Sequence, residues 1–134
     1  MQVQPYLFFH GRCEEALNFY RQAVGAEIVS MIRFKEAPDQ NMVPPGAGEK
    51  VMHASFRIGS SELLASDGME ESAVKPTAFA LAIGVDSVDE GRRLCEALAQ
   101  GGSVEMAFGP TFWTQGFGQL TDRFGMQWMV NVAH

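Results

Sequence analysis

Basic residues, cysteines and long apolar segments are all scarce in this chain of 134 residues. The 10 Lys and Arg stand against 16 Asp and Glu, giving a net charge of -6 without the clustered cations that a nucleic-acid backbone requires. The apolar runs are too short for a membrane span, and residues 1–5 lack the basic and apolar regions of a signal peptide. We therefore expect a cytoplasmic protein that binds neither nucleic acid nor membrane.

Metal-type cysteine spacing and a glycine-rich phosphate loop are also missing. Cys13 and Cys95 fall on the two predicted helices, so free thiols are expected rather than a disulfide or a zinc site. No glycine pair stands between a strand and a helix with the spacing of a phosphate loop. The hydrophobic content of 46% is sufficient for one compact domain over residues 1–134.

What the sequence does contain is the same unit twice, over about residues 3–67 and 77–132. Each copy begins with a strand and continues into a helix with apolar residues at helical spacing. Gly25 is predicted to end the first helix and Gly101 the second, while Ser87 is the predicted N-cap of the second. The duplication predicts two similar α+β modules.

Each predicted module ends in a hairpin, over residues 51–65 in the first copy and 117–132 in the second. The first copy has roughly a dozen additional residues between its helix and its hairpin. Residues 38–49 have turn composition and no periodicity, so they are predicted to form an inserted loop.

Several segments resemble the PhnB-like family of the glyoxalase and bleomycin-resistance group, which is the vicinal oxygen chelate superfamily. The matching segments are Pro5–Phe9, Cys13–Tyr20, Met52–Phe56, Ala65–Asp67, Phe112–Trp113 and Leu120–Asn131. The resemblance implies an α+β fold in which two βαβββ modules form a half-barrel over a concave pocket, commonly in a homodimer. Members are often labelled 3-demethylubiquinone methyltransferases, but this sequence contains no glycine-rich methyl-donor site.

The resemblance also implies where a metal would bind, because metal-using relatives place His, Gln or Glu on the first and last strands of each module. The corresponding positions here are Pro5, residues 63–65, Phe79 and Met129, and all are apolar. None suits a hard divalent ion. We therefore predict no metal at this site and no other cofactor.

Strand alternation predicts which side chains face a ligand pocket. In the third and eighth strands, the apolar sets 52/54/56/58 and 128/130/132 are assigned to the helices. In the fifth strand, Phe79 and its alternate neighbours are assigned to the pocket, and Ala80, Ala82 and Gly84 to the helix. The predicted ligand-binding residues are Leu7, Phe9, Ser55, Arg57, Phe79, Trp113, Gln127, Met129 and Asn131.

His53 is the candidate catalytic residue, because an imidazole on a pocket-facing strand can transfer protons near neutral pH. Asp67 is its candidate partner, although Asp67-Gly68 after a strand favours a turn. Two functions remain open. The first is a small-molecule-binding protein without turnover. The second is an enzyme of the lyase, isomerase or ring-cleavage type that uses His53 or a divalent metal at other positions.

Overall fold

The computed structural model describes residues 1–69 and 77–133. The chain separates into two compact units, Met1–Ala73 and Val74–His134. The first contains β1 (Tyr6–Phe8), α1 (Cys13–Val24), β2 (Glu27–Arg33), β3 (Val51–Ile58) and β4 (Ser61–Ser66). The second contains β5 (Leu81–Val85), α2 (Val88–Ala99), β6 (Ser103–Gly109), β7 (Phe117–Thr121) and β8 (Gln127–Val132).

The two sheets have the same topology. Their strand orders are β1-β4-β3-β2 and β5-β8-β7-β6, and in each the first strand runs parallel to the last. The remaining neighbours are antiparallel. Each unit is thus a βαβββ module, and the predicted α+β fold is confirmed. The single domain and the half-barrel stay predictions.

The helix ends follow the local signals in the sequence. Gly25 caps α1 in the left-handed conformation with φ of 71°, which glycine adopts without a steric penalty. The Ser87 side chain accepts a hydrogen bond from the Glu90 backbone N–H at 3.2 Å, as predicted for an N-cap. Within the described parts of the chain, neither helix is long and apolar enough to cross a membrane.

The two predicted hairpins and the inserted loop are also confirmed. β3 and β4 are joined at Gly59-Ser60, and β7 and β8 are joined through residues 122–126. Between β2 and β3 the chain forms only short 3-10 helices, Phe34–Glu36 and Gln40–Met42. The cysteines are free and buried, as expected.

Each sheet has one face covered by its own helix and an opposite face, which we call the open face. Under α1 the helix-covered face includes Ala54 and Phe56, and under α2 it includes Trp128 and Val130. These four side chains are between 0 and 1% exposed, and Leu98 of α2 is equally buried. Burial of this apolar surface is the main stabilising contribution to each unit.

The predicted orientation of Leu7 and Phe9 toward a pocket is wrong. Leu7 is 2% exposed and is the register partner of Ala65, on the helix-covered face. The Phe9 ring lies 6.1 Å from that of Tyr20 on α1, centroid to centroid. A strand of three residues offers too little alternation to show its orientation, and pairing with β4 decides it.

The prediction for β5 is wrong in the same way. Leu81 pairs with Trp128, so it lies on the helix-covered face, whereas Ala82 and Gly84 lie on the open face. Phe79 precedes the strand and is 46% exposed. Both residue sets of β5 are apolar or small, so the sequence alone does not distinguish its faces, and register with β8 does.

Candidate functional site

The polar residues predicted on β3 lie on the open face of the first sheet. His53, Ser55 and Arg57 alternate with the helix-covered Ala54 and Phe56, because successive strand residues point to opposite faces. Register places His53 opposite Ile32 and Arg57 opposite Glu27 of β2. The predicted orientation of these three residues is therefore confirmed, while their role in binding stays a prediction.

His53 forms a hydrogen bond with a residue that the sequence did not indicate. The Tyr6 hydroxyl lies 2.9 Å from His53 Nδ1, and the two ring centroids are 5.6 Å apart. Phe8 stacks on Tyr6, with its ring centroid 5.1 Å from that of Tyr6. Partial burial raises the pKa of Tyr6 above its usual value of 10.0, so the hydroxyl stays protonated at neutral pH. Tyr6 can therefore act as a hydrogen-bond donor.

Ser55 and Arg57 already have partners within the first unit. The Ser55 hydroxyl donates to Glu62 Oε1 at 2.6 Å, and this short hydrogen bond uses its proton. The Arg57 guanidinium pairs with the Glu27 carboxylate at 3.5 Å, and both side chains are exposed. An exposed ion pair of this kind is weak, so Arg57 remains able to exchange Glu27 for another anion.

Asp67 does not pair with His53 but holds the backbone. Its carboxylate is 3% exposed and accepts hydrogen bonds from the backbone N–H groups of Gly11, Cys13 and Val51. Gly11 and Cys13 form the entry to α1, and Val51 begins β3. Asp67 is therefore a structural residue, although it anchors distant backbone segments instead of the predicted local turn, and its candidacy as a catalytic partner is wrong.

The open face of the second sheet includes the predicted residues of β8. Gln127, Met129 and Asn131 alternate with the buried Trp128, Val130 and Val132, as expected. Met129 lies between Ala82 and Gln119 in the register, and Asn131 lies between Gly84 and Phe117. Small residues on β5 thus leave space beside Met129 and Asn131.

Asn131 has an unusual polar atom. Its side-chain oxygen Oδ1 is buried and has no hydrogen-bond partner among the described residues. A buried carbonyl oxygen in this state lowers stability by about 1–3 kcal/mol, because it loses its hydrogen bonds to water without replacement. The second sheet therefore contains one buried, unsatisfied acceptor, carried by a residue of its open face.

Trp113 stands at the edge of this face. Its ring lies 5.3 Å from that of Phe117, centroid to centroid, and 4.9 Å from that of the almost fully exposed Phe112. Thr114 fixes the turn, since its hydroxyl donates to the Val132 carbonyl at 2.7 Å. Sequence reasoning identified Trp113 but not Thr114, because the hydrogen-bond partner of Thr114 lies on a distant strand.

The first strand of each module supplies no side chain suited to the divalent metal of the superfamily. The open-face residues of the first strand in each module are Tyr6, Phe8, Ala82 and Gly84. No group of three or more His, Cys, Asp or Glu side chains that could hold a metal occurs in residues 1–69 and 77–133. A hard cation requires several oxygen or imidazole ligands together. That no metal binds elsewhere stays a prediction.

A protein of known structure shares the fold of this chain. The fosfomycin resistance protein FosX from Listeria monocytogenes is 11% identical to it, with a TM-score of 0.67 over 99% of this chain and 92% of that chain. Its structure was determined with Mn(II) and a dihydroxypropylphosphonic acid. Together with the two βαβββ modules, this similarity shows that the two proteins share a fold.

Closer relatives define the family. A family model described as 3-demethylubiquinone-9 3-methyltransferase matches residues 1–131. YjdN from Escherichia coli K12 is 37% identical, covering 99% of this chain and 96% of YjdN. The crystal structure of PA1353 from Pseudomonas aeruginosa is 42% identical with a TM-score of 0.88, over 98% of this chain and 97% of that chain. A PhnB protein from Bacillus cereus is 30% identical with a TM-score of 0.85, over 99% and 100%. The chain belongs to this PhnB-like family, as the sequence predicted.

Proposed function

We propose that this protein binds a small planar molecule on the open face of its second sheet, without the metal of the superfamily. The observation that supports this most is the unpartnered Oδ1 of Asn131, which an N–H or O–H group of a ligand would satisfy. Phe117 pairs with Asn131 in the register and supplies an aromatic surface beside that oxygen. A mostly apolar site with one directed polar group is typical of small-molecule sites.

Neighbouring residues suit the apolar part of such a ligand. Met129 has a flexible thioether side chain that adapts to different shapes. Ala82 and Gly84, on the adjacent strand, occupy little of the space above the sheet. Trp113 extends the aromatic surface beyond Phe117. The ligand class is therefore a planar, largely apolar molecule with at least one hydrogen-bond donor.

The proposal does not include methyl transfer. The sequence contains no glycine-rich methyl-donor site, and the described residues fold as two βαβββ modules. Sequestration needs only shape, stacking and hydrogen bonding, and the open face provides residues for each. We also propose a homodimer, on the family resemblance, and a cytoplasmic location.

Indole and 1-methylindole form a matched pair of probes, because only indole has an N–H that can donate to Asn131. We expect indole to bind the wild-type protein three- to tenfold more tightly, in line with a hydrogen bond of about 0.5–1.5 kcal/mol. Asn131→Leu should abolish the difference, because leucine retains the approximate shape without the oxygen. Backbone amide NMR titration measures both affinities and shows which residues respond.

Gln127→Leu is the control, since Gln127 lies on the same strand and face but opposite Thr121 rather than Phe117. This variant should retain the preference for indole. Equal binding of the two probes to the wild-type protein would contradict the proposal, as would shifts confined to residues outside β5, β7 and β8.

An enzyme is the second candidate, and the Tyr6–His53 hydrogen bond is the observation that favours it. When Tyr6 donates to Nδ1, the opposite ring nitrogen of His53 carries the other proton and is available to a substrate. Such a pair is typical of general acid-base catalysis. The reaction class would be proton transfer next to a carbonyl group, consistent with a lyase or an isomerase.

Dihydroxyacetone in deuterated buffer tests this alternative, because enolisation replaces its carbon-bound hydrogens with deuterium. If the alternative holds, the wild-type protein accelerates exchange, and His53→Gln lowers the rate about 100-fold by removing the imidazole. Tyr6→Phe, which retains the aromatic ring, should also lower it. Proton NMR follows the exchange. No acceleration above buffer by the wild-type protein would leave binding as the supported function.

A further inference from the structure

A pocket lies within the second unit, on the side of the sheet that α2 covers. Its volume is about 270 Å³. The side chains that define this α2 pocket come from the helix, the edge strand and its neighbour: Arg92, Cys95, Ala99, Val104, Phe108 and Leu120. Leu120 is 1% exposed and belongs to the helix-covered face, and neither Asn131 nor Met129 is among the residues that line the pocket.

The duplicated module explains why this space exists. α1 and α2 are both 12 residues long, and when they are aligned from their first residues the fourth, eighth and eleventh positions are buried in both. The fifth, eighth and twelfth positions are Leu17, Tyr20 and Val24 in α1. The same positions are Arg92, Cys95 and Ala99 in α2. These three lining residues of α2 thus each replace a larger or more apolar residue of the first module, and Glu96, the fourth, replaces Arg21.

Tyr20 shows what fills the equivalent space in the first module. Its side chain is 0% exposed, and its ring stacks on that of Phe56 at a centroid distance of 6.3 Å and an interplanar angle of 19°. Leu17 beside it is also fully buried. In the second module a cysteine stands in place of this phenol ring, so the volume of an aromatic side chain is missing.

Phe108 of β6 takes up part of the missing volume. Phe108 packs directly against Gly91 and Gly118. A Cβ atom added at Gly91 would lie 2.6 Å from Phe108 Cζ, and one added at Gly118 would lie 3.2 Å from Phe108 Cβ. Only glycine permits this approach, so the ring lies low against the helix and the sheet. The Arg92 guanidinium carbon is 5.7 Å from the ring centroid, a cation-π distance. The space beyond Phe108 stays open as the pocket.

The walls of the α2 pocket are apolar and electrically balanced. Burial raises the pKa of the Cys95 thiol to about 11, so this group is uncharged at neutral pH. Arg92 and Glu96, the charged lining residues, have opposite signs. Val104 and Met106 of β6 are 59% and 46% exposed, so the pocket can be reached from solvent along that strand. The lining residues therefore carry no net charge that could neutralise an ionic ligand.

We propose that the α2 pocket binds a small uncharged aromatic molecule with a single ring, in the place that the Tyr20 ring occupies in the first module. The size agrees, because an apolar cavity of about 150 Å³ holds benzene and this pocket is larger. Dispersion contacts with Phe108, Leu120 and Ala99 replace those that a buried aromatic side chain makes. The site is independent of the proposed site on the open face.

Toluene is the probe, because it has an aromatic ring and no hydrogen-bond donor. In the wild-type protein, saturable NMR shifts are expected at residues of α2 and β6 at millimolar concentrations. Ala99→Leu should weaken binding at least fivefold by occupying the pocket. Val104→Trp, at an exposed position on β6, should weaken it similarly by covering the entrance, and folding does not depend on that side chain. Val24→Ala, at the equivalent position of α1, should leave the affinity unchanged.

Asn131→Leu separates this inference from the proposed function, since it should leave toluene binding unchanged while it removes the preference for indole. The inference is overturned if toluene leaves the resonances of α2 and β6 unshifted, or if Ala99→Leu and Val104→Trp both bind toluene like the wild-type protein. It is also overturned if β6 and α2 resonances show that a second copy of the chain covers the pocket, with toluene dissociating a dimer instead of filling free space.

Discussion

Replacing Asp67 with alanine is expected to lower the free energy of unfolding by about 4 kcal/mol, a large part of the stability of a small domain. The carboxylate accepts from Gly11 N at 2.7 Å, from Cys13 N at 2.8 Å and from Val51 N at 2.8 Å. Alanine would leave three donors without this acceptor, and each buried unpaired N–H is unfavourable by about 1–3 kcal/mol. The turn before α1, the first residue of α1 and the first residue of β3 would no longer be held by one carboxylate.

The anchor matters because α1 receives its N-terminal cap from Asp67, at the end of β4, instead of from the preceding residue Arg12. A negative charge near the first turn also interacts favourably with the helix dipole. The turn before the helix has positive φ at His10 (49°) and Gly11 (97°), a conformation that non-glycine residues rarely adopt. The hydrogen bond to Gly11 stabilises that turn.

Urea unfolding measures the expected loss as a lower midpoint at constant slope. Asp67→Asn should be less severe, because its remaining oxygen can still accept from Gly11 and Cys13 while its amide cannot accept from Val51. Asp39→Ala is the control, since Asp39 accepts one exposed hydrogen bond from Asn41, and a change below about 1 kcal/mol is expected. Equal midpoints for Asp67→Ala and Asp39→Ala would contradict the anchoring role.

Asp122→Ala is expected to destabilise the second unit by about 3 kcal/mol, for a similar reason. The Asp122 carboxylate is 3% exposed and accepts from Phe124 N at 2.8 Å, from Met126 N at 3.0 Å and from the Trp128 indole N–H at 2.9 Å. It therefore fixes the turn between β7 and β8 and orients the largest buried side chain. Amide hydrogen exchange at Phe124 and Met126 should accelerate in the variant.

A double-mutant cycle isolates the indole hydrogen bond. Trp128→Phe removes the N–H while retaining an aromatic ring, and the coupling between Asp122→Ala and Trp128→Phe is expected to be about 1–2 kcal/mol. Urea midpoints of the wild-type protein, both single variants and the double variant supply the four values. Additive losses would show that Asp122 acts on the turn alone.

Long elements with strong local signals could be predicted from the sequence. The helices were found from their apolar spacing and glycine ends, and the hairpins from turn residues between alternating strands. The faces of β3 and β8 were also correct, because polar and apolar residues alternate there over 8 and 6 residues. In these strands each residue type fits only one face, so alternation alone is sufficient.

The faces of β1 and β5 could not be predicted, for a physical reason. β1 has 3 residues, and β5 contains only apolar or small residues, so neither sequence distinguishes its two faces. Pairing with β4 and β8 decides their orientation. That pairing brings Tyr6, rather than Leu7, to the same face as His53. Tyr6 therefore takes the place of Leu7 among the candidate site residues near His53.

The sequence by itself determined the two modules, their helix ends, the inserted loop and the family, because each depends on local periodicity, turn chemistry or similarity along the chain. The contacts between residues that are distant in the sequence were decided only by the tertiary structure. Asp67 holds Gly11 and Cys13 from more than 50 positions away, and Tyr6 meets His53 across 47. The unpartnered oxygen of Asn131 and the α2 pocket are likewise properties of packing. Hydrogen bonds and volumes between distant segments depend on register and burial, which no local pattern encodes.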